Sequence, residues 1–111
     1  MIRFTETECL FQPGQIVRHR RYAYRGVIVS ADPRCRADGD WYTTNRTQPD
    51  QNQPWYHVLV DGTPTATYAA QSNLEADPAG EPVDHPLLRE FFDSFAEGHY
   101  HRNDRPWQGW R

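Results

Sequence analysis

The segment Pro54-Trp55-Tyr56-His57-Val58-Leu59-Val60, followed by Asp61-Gly62, decides the fold. Its residues are aromatic or β-branched almost without a break, which suits a half-buried or buried strand. Asp-Gly is the strongest short hairpin signal, because both central positions of the tight turn need positive φ. Thr65-Ala66-Thr67-Tyr68-Ala69-Ala70 then reads as the antiparallel return strand, and Asn73-Leu74-Glu75 as a short edge strand.

Upstream, Arg25-Gly26-Val27-Ile28-Val29-Ser30-Ala31 reads as a strand that ends at the turn Asp32-Pro33. Val27 and Val29 point to one face and Ile28 to the other. Gly26 within it signals a bulge or a close backbone approach. Before it, Pro13-Gly14 marks a turn and Gln15 to Arg20 a short strand, with residues 1–12 expected to be a loose arm. Residues 32–54 form a long polar loop whose Trp41-Tyr42 pair is unlike disordered composition. Those two rings either pin the loop to the sheet or present a binding surface.

Residues 77–82 are a linker of turn formers. Beyond it, Leu88, Phe91, Phe92 and Phe95 share one face at helical spacing, Pro86 suits a first helical turn, and Gly98 suits a stop. The spacing predicts one amphipathic helix over 86–97, followed by an extended tail carrying Trp107 and Trp110. The expected architecture is mainly β: a barrel domain over 13–76, SH3-like, of roughly five strands, with one C-terminal α-helix in the 77–111 extension.

The 111 residues are enough for one domain and too few for a two-domain enzyme with a large cleft. A mean hydropathy of −0.93 implies a small core, and 14% aromatic residues imply that rings build much of it. No apolar run is long enough to span a membrane as a helix. The first residues lack the pattern of a signal peptide, so a cytoplasmic protein is expected. Cys9 and Cys35 read as free thiols, and no paired ligand spacing supports a zinc site, so no metal or cofactor is expected. Phosphate-binding and nucleophile motifs are absent. His57, the best-placed candidate for acid–base work, reads more simply as a hydrogen-bonded histidine of the sheet. No enzymatic activity is expected.

All twelve basic residues are arginines, and the net charge is −3. Residues 1–60 hold eight arginines against six carboxylates; residues 61–111 hold four against nine. The acidic balance argues against a general nucleic-acid coat. It leaves one basic segment, in which Arg18, Arg20, Arg21 and Arg25 interleave with His19, Tyr22 and Tyr24 and no carboxylate falls between Glu8 and Asp32. Such interleaving can grip phosphates and stack on bases, or it can be a charged, aggregation-resistant edge. Trp41, Trp55, Tyr56, His57 and Tyr68 are the candidates for a protein-interaction surface, with a role in the core equally open.

Pro13-Gly14-Gln15-Ile16-Val17-Arg18-His19, Tyr24-Arg25-Gly26-Val27-Ile28-Val29, Asp32-Pro33, the Pro54–Val60 block, Tyr68-Ala69-Ala70 and Asn73-Leu74 together resemble the YccV-like hemimethylated-DNA-binding family, of the bacterial heat-shock protein HspQ type. The resemblance covers roughly residues 11–75, and the tail looks like an extension carried by the domain of some eukaryotic F-box proteins. It implies a small SH3-like barrel, no cofactor and no catalysis. It implies two activities: binding of hemimethylated DNA, and service as a stress-response adaptor that directs proteins to a Lon- or Clp-type protease. The implied partners are DNA, or a protease and its protein substrates. A homo-oligomer is expected if the barrel mouth or an edge strand stays apolar.

Overall fold

The computed structural model describes residues 8–37, 39–44 and 48–108. The chain is mainly β. Strands β1 (Ile16–His19), β2 (Arg25–Asp32), β3 (Trp55–Val60), β4 (Ala66–Ala70) and β5 (Leu74–Ala76) form one antiparallel sheet in the order β4-β3-β2-β1-β5. A single 3-10 turn, Gln71–Asn73, joins the two outer strands. This is the expected small five-stranded sheet. Among the described residues the ladders run from β4 to β5 without closing back on themselves, and the small β-dominated fold fits the expected class.

The long loop contains a short helix, α1 (Gly39–Thr44). The predicted helix over 86–97 is corrected. Only α2 (Leu88–Phe91) is helical, and β6 (Phe92–Ala96) and β7 (His99–Arg102) follow as a hairpin. Asp93 and Ser94 are weak helix formers, whereas aromatic residues suit strands. Glu97 and Gly98 have φ of +53° and +79°, the two positive values of a tight hairpin turn. Gly98 therefore turns a hairpin rather than ending a helix. Tyr100 on β7 packs against Phe92 and Phe95 with ring centroids 5.4 and 4.6 Å apart.

Both faces of the sheet are covered, which is why all six residues of β3 are buried. Phe11, Val17, Ile28, Tyr56, Val58, Ala69 and Leu74 pack on one face. Phe11 thus anchors the end of the segment expected to be loose, and residues 1–7 of that arm lie outside the described residues, as does Trp110 of the tail. On the other face Ile16, Val27, Val29 and Leu59 meet Val83, Phe91 and Phe92. Beside them, Trp55, Tyr68 and Ala70 meet Cys35, Ala37, Trp41 and Tyr42. Trp41 and Tyr42 pin the loop to the sheet.

Polar contacts to the sheet help to hold the C-terminal extension. The Tyr100 N–H donates to the Gly14 carbonyl at 2.9 Å. The register shift between Ile28 and Ser30 leaves Val29 without a partner on β3, and Arg102 Nε donates to its carbonyl at 2.8 Å. Arg25 clasps the linker: it meets Asp61 and Asp77 at 3.0 Å each and donates to the carbonyls of Glu81 and Pro82. Gly26 is the close approach its position suggested, since a Cβ there would overlap the Leu59 carbonyl oxygen.

Candidate nucleic-acid interface

The link between β1 and β2 is shaped by one imidazole. His19 is buried, and its Nδ1 accepts the N–H of Arg21 at 3.1 Å and of Tyr22 at 3.0 Å. The ring therefore carries its proton on Nε2 and is neutral. Burial, with Arg21 nearby, holds its pKa below the ordinary histidine value, which favours this form. Tyr22 and Tyr24 stack on it with centroids 4.8 and 5.0 Å away. Ala23, at φ +63°, donates its N–H to the His19 carbonyl and closes the turn.

This turn presents Arg20, Arg21 and Tyr22 outward, with Arg18 exposed on β1. The Arg21 guanidinium lies 5.8 Å from the Tyr22 ring centroid. Arg20 bonds the Leu74 carbonyl through Nε and reaches Glu75 at 3.3 Å, yet remains 58% exposed. Arg25 is different: its guanidinium is spent on the linker clasp. Of the expected basic set, Arg18, Arg20 and Arg21 are exposed on β1 and the turn that follows it, whereas Arg25 is engaged by Asp61 and the linker.

Behind the turn, a groove of about 380 Å³ runs along β4, the strand at one edge of the sheet. His19, Tyr22, Tyr24, Trp41, Trp55, His57, Tyr68 and Trp107 supply its rings, and Thr67 and Asn73 its short polar groups. No Asp or Glu lines it among the described residues. The Tyr68 hydroxyl donates to Asp32 at 2.6 Å and accepts the Arg36 N–H at 3.0 Å, so that phenol is held as a donor and its pKa is raised by burial first and the Asp32 bond second. His57 lies 4.4 Å from the Tyr68 ring and 5.7 Å from the Trp107 ring. Burial lowers its pKa, and Asp32, 3.9 Å away, opposes the shift only in part.

The five aromatic candidates divide. Trp55 and Tyr56 are fully buried; the Tyr56 hydroxyl bonds Gln71 at 2.5 Å and accepts the Phe11 N–H. Trp41, His57 and Tyr68 line the groove, and the buried Trp55 forms part of its wall; Tyr56 alone of the five is not among its lining. Sequence reasoning missed Trp107, placed in a tail expected to be extended. Its ring packs on Phe91 at 5.2 Å, and its buried Nε1 has no acceptor among the described residues. The one signal was its size, since a large ring in a polar tail is costly to expose. Among the described residues no three His, Cys, Asp or Glu side chains stand close enough to share a metal ion, and no helix is long and apolar enough to cross a membrane.

The described residues thus combine a small five-stranded sheet, a basic turn and an aromatic groove whose lining holds no Asp, Glu or Arg. A family model described as "Hemimethylated DNA-binding protein YccV like" matches residues 9–99, and the chain belongs to this YccV-like family. The chain is also similar to F-box only protein 21 of Homo sapiens and of Pongo abelii, 36% identical over 91 residues, and of Mus musculus, 35% identical. Each match covers 78% of this chain and 14% of the relative, so the chain spans about a seventh of the length of the curated relatives it matches.

Proposed function

We propose that this domain binds DNA, with Arg18, Arg20 and Arg21 contacting phosphates and Tyr22 lying against the strand. The observation that carries the reading is the His19-shaped turn, which presents exposed Arg20, Arg21 and Tyr22 beside a groove without carboxylates, with Arg18 exposed on the preceding strand. Guanidinium groups suit phosphate because their donors form a planar fork. With so few cations in a chain of net charge −3, affinity is modest and falls steeply with salt. Preference for hemimethylated DNA is the finer form of the proposal, supported by the family description. A role in protein turnover is the alternative, in which a protease adaptor uses the same groove through Trp41, His57 and Tyr68.

The test is binding to hemimethylated, fully methylated and unmethylated duplexes across a salt series, with Arg20→Glu/Arg21→Glu as the control. Tighter binding to the hemimethylated duplex, lost in the variant, is the expected result. Absence of binding, or equal binding that the variant leaves untouched, overturns it and moves attention to protein partners.

A further inference from the structure

We infer that the groove along β4 takes an unpaired nucleobase, so that the preferred ligand is a single strand or a duplex with an extruded nucleotide. This rests on the DNA-binding reading and specifies its ligand.

Three observations support it. First, no described element is shaped to enter a duplex groove. The helices have six and four residues, and α1 turns Trp41 and Tyr42 onto the sheet. The β6–β7 hairpin is held against the core by Phe92, Phe95 and Tyr100. Reading a duplex by its base edges needs such a helix or ribbon.

Second, the groove offers what a free base seeks and a paired base hides. Tyr22, Tyr24, Trp41 and Trp107 contribute aromatic side chains to its lining. Stacking on such rings is available only to a base that has left its own stack. Asn73 and Thr67 add short hydrogen-bonding groups, and a volume of about 380 Å³ admits a planar ring system.

Third, charge is arranged for a nucleotide rather than for a charged or purely apolar ligand. The lining carries no carboxylate and no arginine. A cation stands just outside, the Arg21 guanidinium over Tyr22; Arg20 and Arg36 adjoin the lining through backbone N–H bonds to Asn73 and Tyr68, with their guanidinium groups reaching Glu75 and Asp32. A neutral ring enters and its phosphates stay at the rim.

The experiment measures fluorescence anisotropy of the full chain with three labelled probes of one sequence: a single-stranded oligodeoxynucleotide, its blunt duplex, and that duplex with one bulged nucleotide. Single strand and bulged duplex are expected to bind roughly tenfold tighter than the blunt duplex. Trp107→Ala should erase most of that preference while leaving blunt-duplex binding unchanged, whereas Tyr22→Ala, at an exposed position, should weaken all three probes and the single strand and bulged duplex most. Trp107→Phe should keep the preference, because stacking survives. Equal binding of the three probes, or a preference that both alanine variants leave intact, overturns the inference while the DNA reading stands. No binding of any probe overturns both. Displacement of the oligonucleotide by an uncharged, aromatic extended peptide of higher affinity overturns the inference in favour of a peptide occupant.

Discussion

The Gly14 carbonyl accepts the Tyr100 N–H at 2.9 Å, and the two backbones lie so close that a Cβ on Gly14 would overlap the Tyr100 carbonyl oxygen. Gly14 is also at φ +97°, a conformation side chains resist. The turn before β1 is thus the seat on which the C-terminal hairpin rests, continued by the bridge between Gln15 and His99. Gly14→Ala is expected to destabilise the fold by about 3 kcal/mol, from strain and lost docking together. Urea denaturation checks this, and a loss below about 1 kcal/mol would show that the hairpin is only loosely seated.

Pro13-Gly14 was legible as a turn, and its partner was not. Local signals carry strands and turns: Asp61-Gly62, the β-branched runs and the alternation of Val27, Ile28 and Val29 all pointed to elements that form. Leu88, Phe91, Phe92 and Phe95 misled because three residues of spacing serve a helix face and, with a kink after Phe91, a helix end followed by a strand. What packs on what was hidden, since it depends on long-range closure. Arg25 looked like a phosphate ligand because its carboxylate partners lie 36 and 52 positions away. Trp107 joined the groove from a segment with no periodicity.

His19 and His57 are held neutral in the fold, so acid should destabilise the protein in a definite window. For a base whose folded pKa is lowered, the unfolded chain takes up protons more readily. Stability is complete above the unfolded value of 6.5 and declines as pH falls below it. Thermal melts from pH 8 to pH 5 are expected to show this decline, and His57→Gln should flatten part of it. A melting temperature indifferent to pH across that range would contradict the assignment of either ring as neutral.

His19→Ala tests the turn itself. It leaves the N–H groups of Arg21 and Tyr22 without their acceptor, at a cost of about 1–2 kcal/mol. The folded variant should bind DNA more weakly than the parent although no arginine has been removed. Unchanged affinity would separate the turn's geometry from binding.

Arg25→Met should break the ion pairs with Asp61 and Asp77, free the linker from β2 and cost about 2 kcal/mol. Asp61 is held below the usual carboxylate range, chiefly by the Asp84 N–H and then by Arg25. Its contribution is therefore present above the unfolded value of 3.8 and is lost as pH falls through the lowered folded value. Chemical denaturation at pH 7 and below pH 4 should find the Arg25→Met penalty smaller in acid. A penalty of the same size at both would mean that packing of the arginine stem, not its charge, holds the clasp.

Tyr68→Phe removes the donor to Asp32 and the acceptor for the Arg36 N–H. The expected loss is about 1–2 kcal/mol. The segment following β2 should also loosen, seen as faster tryptic cleavage after Arg34 and Arg36. Cleavage at the parental rate would show that Trp41 and Tyr42 hold the loop alone.

The face made by Ile16, Val27, Val29 and Leu59 has its cover in residues 83–107. On the ribosome those four side chains emerge long before Phe91, Phe92 and Trp107. β1 also waits for β5, and Gly14 for Tyr100. Closing such distant contacts is slow, and the nascent sheet stays sticky meanwhile. A ribosome that stalls near residue 80, or a protease that nicks the linker, would release a half-clad sheet that chaperones retain and that self-associates when they are scarce.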